Sequence, residues 1–323
     1  MTIEKLPSGS YRIRLSEKGI RHSLVVPYKP SEKEAWTLMQ DKIHHKTVTM
    51  PFSDASEEYI TIKENVLSPS TVRGYHTILR NTPDWFMRLN IGDITDYHLQ
   101  KLVSEYAVDH SPKSTRNLYG LVRAVIRLFI PKSDISATLP QKVRKEPYTP
   151  THDDIKRLLE AADGTPYYIP IHLAILSLRR SEICALTIED LADDNTLTIN
   201  KALVPCDNGY VLKPAPKTDA SNRTILLPDD LADRIRNQGY IFNYQPQAID
   251  QFIRRTLPKL GIPQFSIHKL RHFFASYSHD LGYSDAQIQK MGGWSTDVVM
   301  KSVYRHAMNN DEAARQIASD FAF

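Results

Sequence analysis

Cysteine is scarce in this chain: among 323 residues, only Cys184 and Cys206 carry a thiol. Two cysteines are too few for a disulfide framework, and their separation does not match the paired spacing of metal ligands. The sequence therefore excludes a small secreted domain held together by disulfides and a zinc site built on cysteine. A protein of the reducing cytoplasm is expected.

Long apolar runs are also missing. No segment is long enough to span a bilayer, and Lys5 is not followed by the apolar stretch of a signal peptide. The chain contains no internal repeat and no low-complexity tract. We therefore expect a globular protein without a membrane partner.

The sequence has no large excess of charge of one sign. Lys and Arg number 41 and Asp and Glu number 37, which gives a formal net charge of +4. Such a mild excess permits a polyanionic partner without requiring one, so the distribution of the basic residues is more informative than their number. Hydrophobic residues at 41% and charged residues at 24% are typical of a globular protein, and the length suffices for two or three domains.

Residues 1–46 predict a small sheet followed by one helix. The predicted elements are two strands and a helix, at residues 11–15, 22–26 and 31–43. Arg12 and Arg14 fall on one strand face, opposite the apolar side chains. Such a basic face can enter a DNA groove, but a solvated sheet face explains it equally well.

Residues 52–139 predict a helical domain. Ser68-Pro69 and Ser111-Pro112 each combine an N-cap with proline at the first helical position, and Thr95 begins a helix with apolar residues along one face. The last helix also carries a row of basic side chains: Lys113, Arg116, Arg123 and Arg127. A row of this kind is usually a solvated face, although it can also bind the DNA backbone.

Residues 140–150 have the composition of a basic linker between domains, with prolines at both ends. Its basic residues are Lys142, Arg144 and Lys145. Thr151 then has the pattern of an N-cap that opens a new helix. A third domain is therefore expected over residues 151–323.

Chemically versatile side chains concentrate near the C-terminus. His268 and Arg271 are three residues apart, so on a helix they would share a face and project from an apolar support. A guanidinium can bind two phosphate oxygens, and an imidazole adds a donor that can carry a proton. His-x-x-Arg alone is more often a solvated helix face. Trp294 and Tyr304 follow, and either residue alone would more often be a packed aromatic.

Two upstream segments supply further candidates. Arg179 and Glu182 are three residues apart, so the acid can orient the arginine, although a surface ion pair has the same spacing. Short strands are expected at residues 196–199, 210–212 and 223–227. Lys217 precedes the last of these strands, near the tip of a predicted hairpin, where a lysine is ordinarily only solvent-facing.

The order of these residues resembles that of the tyrosine recombinase family, particularly the phage and transposon integrases. In that family an arginine segment with a following Glu, a hairpin lysine, His-x-x-Arg, a His or Trp, and a final tyrosine occur in this order. The matching positions are Arg179, Lys217, His268, Arg271, Trp294 and Tyr304. The full ordered set is specific, whereas no single member is. The resemblance is strong from about residue 151 onward and looser upstream.

The sequence departs from the family pattern at two points. Many members have Thr-Gly where this chain has Leu176-Ser177, so an altered turn is expected before Arg179. Many members also have His where Trp294 stands. Because Trp retains one N–H donor, activity is still expected.

The resemblance implies a site-specific DNA recombinase. Tyr304 would attack a DNA phosphate, form a 3′-phosphotyrosyl bond and release a 5′-hydroxyl, while Lys217 would protonate the departing oxygen. The two arginines would hold the phosphate, and His268 and Trp294 would donate further hydrogen bonds. The reverse reaction rejoins strands, so no ATP, metal or other cofactor is implied. The sequence agrees, because it contains no Walker motif and no evident carboxylate cluster for paired Mg²⁺.

The resemblance also implies an α+β multidomain architecture. It assigns an arm-type DNA-binding domain to residues 1–46, a helical core-binding domain to 52–139 and a mixed, mainly helical catalytic domain to 151–323. The last two would clamp duplex DNA. Glu182 and His272 would be supporting groups, and the role of His306 stays open.

The implied partners are double-stranded DNA attachment sites, three further copies in a homotetramer on paired sites, and accessory DNA-bending or directionality proteins. Residues 310–323 would form a short helix that docks on a neighbouring subunit. The expected location is the cytoplasm, associated with the nucleoid when bound to DNA. Alternatives are a chromosome-dimer resolvase, a type IB topoisomerase, or a DNA-binding regulator that does not cleave.

Overall fold

The computed structural model describes residues 1–17, 20–44, 49–141, 148–214, 222–294 and 296. The chain divides into two compact units, Met1–Val143 and Arg144–Phe323. Both units combine helices with short antiparallel strands, so the predicted α+β class is confirmed. Within the described ranges, no helix is both long and apolar enough to cross a membrane.

The first unit begins with a three-stranded antiparallel sheet and one helix. These elements are β1 (Thr2–Lys5), β2 (Tyr11–Glu17), β3 (Ile20–Val26) and α1 (Glu32–His44). Ile13 and Leu15 of β2 pack against Ala35 and Met39 of α1 in a small apolar core. The sequence reading missed β1, because four residues are too few to display a clear alternation.

Arg12 and Arg14 lie on the face of β2 that points away from this core, since side chains alternate along a strand. Arg14 Nη2 lies 3.2 Å from Glu4 Oε2 on β1, and both side chains are exposed. An exposed ion pair of this kind contributes little to stability. The guanidinium of Arg14 can therefore change partners at low cost.

The helical part of the first unit contains five α-helices and a short 3-10 helix at Ile91–Asp93. The α-helices are α2 (Phe52–Lys63), α3 (Pro69–Arg80), α4 (Asp84–Met87), α5 (Asp96–Asp109) and α6 (Pro112–Phe129). The predicted caps are confirmed: Ser68 Oγ accepts from the backbone N–H of Thr71, and Ser111 Oγ accepts from that of Ser114, both at 3.2 Å. The apolar faces of helices α2 to α6 enclose one core, which includes Phe52.

The basic row on α6 is only partly free. Lys113 and Arg127 are exposed. Arg116 Nη1 donates to the carbonyl of Pro112 at 3.2 Å, and Arg123 Nη1 donates to Tyr119 Oη at 3.3 Å. The two ends of the row are therefore the more accessible cations.

The second unit contains seven helices and four strands within its described residues. They are α7 (His152–Ala162), α8 (Tyr168–Ile175), α9 (Arg180–Ile183), β4 (Thr196–Ile199), β5 (Lys201–Cys206), β6 (Gly209–Pro214), β7 (Arg223–Leu226), α10 (Asp229–Gln238), α11 (Gln247–Thr256), α12 (His268–Asp280) and α13 (Asp285–Gly292). The start predicted for α7 is confirmed. Thr151 and Asp154 form a reciprocal capping box, with the Asp154 carboxylate 2.8 Å from the Thr151 backbone nitrogen.

The four strands form two separate antiparallel pairs, β4 with β7 and β5 with β6. The expected hairpin between β6 and β7 is therefore wrong for the described residues. The sequence reading missed β5, because Pro205 argues against a strand, and it therefore assigned β6 the wrong neighbour. Lys217 itself lies outside the described residues.

The core of the second unit places the segment that carries Arg179 beside the helix that carries Arg271. Helix α8 is apolar on nearly all sides, and it packs against α7, α10 and α12. The chain leaves α8 directly into the segment that carries Arg179. Because α12 carries Arg271 and packs against both α8 and α13, three separate stretches of sequence meet at this place.

Candidate active site

Arg179 lies in the turn between α8 and α9, where Glu182 holds it. The Glu182 carboxylate accepts a hydrogen bond from the backbone N–H of Arg179 at 2.8 Å and another from its Nη1 at 2.6 Å. Arg179 Nη2 donates to the carbonyl of Gly293 at 2.8 Å. The carboxylate is buried and the guanidinium is partly exposed. The acid therefore orients this arginine from the protein side.

Arg271 lies on the buried side of α12, with only 1% of its surface exposed. Its Nη1 donates to the carbonyl of Ser177, and its Nη2 donates to the carbonyl of Gly292 at 2.8 Å. The expectation that His268 and Arg271 project together is wrong, because His268 is exposed and Arg271 is not. Packing of α12 against α8 and α13 covers the arginine.

The C-terminal end of α13 supplies the carbonyls that the two arginines share. Gly292 accepts from Arg271, and Gly293 accepts from Arg179. A helix C-terminus carries partial negative charge and attracts cations. A Cβ at position 292 would lie 1.7 Å from Cζ3 of Trp294, so any residue other than glycine would displace the Trp294 ring.

Trp294 is both a core residue and a neighbour of the site. It is 7% exposed, and with Ala275 and Ile288 it forms a small apolar cluster. Its ring is stacked on Phe274 with a centroid separation of 6.3 Å. The guanidinium carbon of Arg271 lies 4.5 Å from the Trp294 ring centroid, within the range of a cation–π contact.

His268 is the first residue of α12 and keeps an exposed surface. Partial burial of its ring, followed by the charges of Arg271 and Arg179, lowers the pKa of His268 below its ordinary value. The lowered pKa favours the neutral imidazole, which has one N–H donor and one acceptor. Its ring meets that of His272 edge to face at a centroid distance of 5.1 Å.

Charge at the site is dominated by the buried guanidinium of Arg271. Burial is the main cause that lowers the pKa of Arg271, and the charge of Arg179 acts in the same direction, whereas Glu182 opposes them. Arginine remains protonated in proteins, so the buried charge of Arg271 is unfavourable until an anion binds beside it. The burial therefore favours the binding of an anion. The guanidiniums of Arg179 and Arg271 carry two positive charges near the single negative charge of Glu182, so the site has a net positive charge.

The described residues contain no group of three or more His, Cys, Asp or Glu side chains that could hold a metal ion. What the site offers instead is a pair of guanidiniums, an imidazole and carbonyl acceptors. Arginine forks match the spacing of phosphate oxygens. The arrangement can thus bind a phosphodiester and stabilise charge on its nonbridging oxygens.

The structure brings together four of the six predicted catalytic residues: Arg179, His268, Arg271 and Trp294. Five predicted positions lie outside the described residues, namely Lys217, Tyr304, Lys142, Arg144 and Lys145. Residues 310–323 lie outside them as well. The assembled set comes from three distant segments, so its convergence is a property of the fold.

Sequence reasoning missed Arg223 as a neighbour of the site. Its side chain is 5% exposed and donates two hydrogen bonds to Glu182. A signal was available, because in the alternating strand Arg223–Leu226 the arginine falls on the same inward face as Ile225. A charged residue at an inward strand position requires a buried partner of opposite charge.

Ser177, one of the two points at which the sequence departs from the expected family pattern, has an unusual backbone conformation. Its φ angle is +75°, in the left-handed region that side chains disfavour. Ser177 thus adopts a conformation that glycine takes without strain, and the expected alteration of the turn stays a prediction. The turn matters for the site, since it directs the Ser177 carbonyl toward Arg271.

Replacing Ser177 with glycine should stabilise the protein. Glycine removes a left-handed strain of about 1–2 kcal/mol, while only a 3.5 Å contact between Ser177 Oγ and the Gly292 carbonyl is lost. We expect the free energy of unfolding in urea to rise by about 1 kcal/mol. Ser177→Ala is the control, because it loses the hydroxyl and keeps the strain. A glycine variant less stable than the alanine variant would contradict this account.

His272 should make the protein sensitive to mild acid. Burial, followed by the charges of Lys269 and His268, lowers the pKa of His272 to about 4, against 6.5 for the free side chain. The unfolded chain then binds a proton that the folded chain does not, so stability falls as pH drops from 6.5 to 4. We expect His272 to contribute roughly 2 kcal/mol of this loss, discounted for residual contact with water.

Urea unfolding measured at several pH values tests this effect of His272. The variant His272→Gln cannot titrate, so its stability should decline less steeply between pH 6.5 and 4. Glu182, Asp154, His172 and His268 also have lowered pKa values, but they are present in both proteins, so the difference between the two slopes reports on His272. An unchanged slope in the variant would exclude His272 as the cause.

Residues 149–311 match the model of the phage integrase family. The chain belongs to that family. The matched range contains the segments of Arg179, Arg271 and Trp294 as well as Tyr304. The resemblance inferred from the order of residues is thereby confirmed.

Two relatives of this integrase-family chain are tyrosine recombinases. It is 25% identical over 277 residues to the tyrosine recombinase XerA of Thermococcus kodakarensis, covering 77% of this chain and 91% of that protein. It is 27% identical over 265 residues to the tyrosine recombinase XerC of Pseudomonas fluorescens, covering 75% and 87%. The chain is thus a tyrosine-type site-specific recombinase.

Solved structures of integrases share the fold. The Tn1549 transposon integrase in complex with transposon right-end DNA superimposes with a TM-score of 0.66 at 18% identity, covering 85% of this chain and all of that one. A lambda integrase tetramer bound to a Holliday junction has a TM-score of 0.60 at 16% identity, covering 96% of each chain. The similarity therefore extends well beyond the second unit.

Proposed function

We propose that this integrase-family protein cleaves and rejoins DNA strands at defined attachment sites through Tyr304. The phenol oxygen attacks the phosphorus, the bond from phosphorus to the 5′ oxygen breaks, and a 3′-phosphotyrosyl bond forms. Lys217 gives a proton to the departing 5′ oxygen. A 5′-hydroxyl of a second strand then reverses these steps and releases Tyr304. Bond energy is conserved in the adduct, so the exchange needs no ATP.

The observation that carries this proposal is the meeting of Arg179 and Arg271 at Gly292 and Gly293. Each guanidinium places at least one terminal nitrogen on a neutral carbonyl in the free protein, although Arg179 also donates to the Glu182 carboxylate. A phosphate oxygen is a stronger acceptor than a carbonyl because it is charged, so it competes for the same N–H groups. Preorganised donors of this kind stabilise the charge that develops in phosphoryl transfer.

His268 and Trp294 are proposed as further donors to the phosphate. His268 is exposed, its lowered pKa favours the neutral imidazole, and it begins the helix that carries Arg271. An anion nearby would stabilise its protonated form and raise its pKa. Positive charge around the phosphate also favours the ionised phenol of Tyr304, whose ordinary pKa is about 10.

The upstream regions are proposed to hold the DNA. Residues 1–46 would act as an arm-type DNA-binding domain and residues 52–139 as a core-binding domain that clamps duplex DNA together with residues 151–323. Each of these regions has its own apolar core, which supports the division. The exposed basic residues Arg14 and Lys113 are candidates for backbone contacts.

The active assembly is proposed to be a homotetramer on two paired DNA sites, with accessory DNA-bending or directionality proteins as further partners. The lambda integrase that shares this fold was solved as a tetramer on a Holliday junction, which supports the assembly. The native mass of the complex formed on DNA with two sites tests it. A complex with fewer than four copies would contradict the proposal.

Covalent capture tests the chemistry. The full chain is incubated with fragments of its source genome and denatured, and DNA that stays attached to protein is recovered and sequenced at its ends. We expect recovery of discrete sequences joined through a 3′ phosphate to Tyr304. Retention of DNA without any covalent product would instead indicate a DNA-binding regulator. Relaxation of supercoiled DNA without exchange between two sites would indicate a topoisomerase.

A further inference from the structure

A single buried carboxylate lies among three arginines at the edge of the site. Glu182 contacts Arg179 and Arg223 directly, and its charge also acts on Arg271. Arg179 and Arg271 are assigned to the phosphate by the proposed function. Arg223 has no such role, yet its side chain is more deeply buried than that of Arg179.

Arg223 and Arg179 divide the Glu182 carboxylate between them. Oε1 accepts from Arg179 Nη1 at 2.6 Å and from Arg223 Nη1 at 3.3 Å. Oε2 accepts from the Arg179 backbone N–H at 2.8 Å and from Arg223 Nη2 at 2.9 Å. A carboxylate offers about four acceptor positions, so the two arginines fill them.

This division leaves room on Glu182 for only one of the two terminal nitrogens of Arg179. One of its terminal nitrogens binds Glu182, and the other binds the Gly293 carbonyl. Were Arg223 absent, two acceptor positions of Glu182 would open. Arg179 could then turn both terminal nitrogens onto the carboxylate, because a bidentate pair is the preferred geometry of Arg with Glu. Its fork would be withdrawn from the phosphate.

Arg223 also keeps the carboxylate ionised. Burial acts to raise the pKa of Glu182, but the hydrogen bond and charge of Arg223, followed by the charge of Arg179, outweigh burial and hold the pKa below its ordinary value. The strand position adds a second link. Arg223 opens β7 and stands six residues after Lys217, so its pair with Glu182 joins this strand to the Arg179 turn.

We propose that Arg223 is a positioning residue for strand cleavage, which occupies Glu182 so that Arg179 remains available to the phosphate. The inference rests on the proposed function, because it assumes that Arg179 binds the scissile phosphate. Arg223 itself does not touch the DNA in this account. It acts only through Glu182.

The test uses the full chain and a duplex built from the captured attachment sequence, nicked beside the cleavage position so that the adduct accumulates. Single-turnover rate constants are measured for wild type, Arg223→Met and Arg223→Lys, with DNA affinity measured separately. We expect Arg223→Met to lower the rate constant about 100-fold, the usual cost of misplacing a catalytic group by roughly 1 Å. Affinity should change little, and Arg223→Lys should be intermediate because it fills fewer acceptor positions.

Adding Glu182→Gln to Arg223→Met separates positioning from folding. The neutral amide cannot draw Arg179 into a bidentate ion pair, so the double variant should cleave faster than Arg223→Met alone. If Arg223 were merely structural, its loss would lower the melting temperature and the active fraction but leave the rate constant of the folded molecules unchanged. The double variant would then cleave no faster than Arg223→Met.

Arg236→Met is the matched control. Arg236 also ties separate segments together, with Nη2 donating to Asn195 Oδ1 at 2.6 Å and to the Ala192 carbonyl at 3.0 Å, but it does so at the surface and away from the site. Its loss should lower stability and leave the rate constant unchanged. A wild-type rate constant in folded Arg223→Met overturns this inference alone. Absence of an adduct in wild type overturns the proposed function, and this inference with it.

Discussion

Replacing Tyr304 with phenylalanine should abolish covalent attachment to DNA and leave DNA binding intact. The substitution removes only the phenol oxygen, which is the attacking atom in the proposed reaction. Removal of a nucleophile in enzymes with covalent intermediates lowers the rate on the order of 10⁶-fold, so no adduct should be detectable. The measurement is the yield of protein-linked DNA on the nicked duplex, with affinity determined by titration of the same DNA.

Tyr283→Phe provides the comparison for Tyr304→Phe. Tyr283 is an exposed tyrosine of the second unit with no assigned role, and its substitution makes the same chemical change. It should form the adduct at the wild-type rate. Peptide mapping of the wild-type adduct must identify Tyr304. Attachment through another tyrosine, or strand exchange by Tyr304→Phe, would show that the nucleophile is misassigned.

Replacing Arg271 with lysine should lower the rate of cleavage by about 10²–10³-fold, the usual effect of removing one preorganised donor from a developing negative charge. Lysine keeps the charge but has no planar fork. The Arg271 fork spans the carbonyls of Ser177 and Gly292 and lies beneath Trp294. One ammonium group cannot reproduce these contacts together. The rate constant of adduct formation measures the loss.

Arg271→Lys should also be less stable, because at least one of the two buried carbonyls loses its donor. An unsatisfied buried polar group costs about 1–3 kcal/mol, which urea unfolding can detect. Arg157→Lys is the control: Arg157 likewise donates to a carbonyl, that of Leu260, but on α7. It should lose some stability and cleave normally. Normal cleavage by Arg271→Lys would remove Arg271 from the catalytic set.

Local signals in the sequence predicted local structure well. Ser68, Ser111 and Thr151 were expected to cap helices, and each does so through its side chain. The cap is a contact between residues three positions apart, so short stretches of sequence contain all the information it needs. The helical region over residues 52–139 followed from such signals together with apolar periodicity.

Strand pairing was less predictable. Tyr210 and its neighbours were expected to pair with the strand that begins at Arg223, whereas β6 pairs with β5 and β7 pairs with β4. A strand can hydrogen-bond with any other strand brought alongside it, so pairing depends on the whole sheet. Pro205 hid β5, since proline is unusual inside strands.

The order and types of the reactive side chains determined, from sequence alone, the family and the class of chemistry. A guanidinium donates to phosphate oxygens, an imidazole can carry a proton and a phenol can attack phosphorus, and each of these properties belongs to the side chain itself. Only the tertiary structure decided that Arg271 is buried, that Ser177 adopts a left-handed backbone, and that Arg223 shares Glu182 with Arg179. These features arise where α8, α12, α13 and β7 pack together, and burial and hydrogen bonding between segments distant in the chain cannot be deduced from the residues of any one segment.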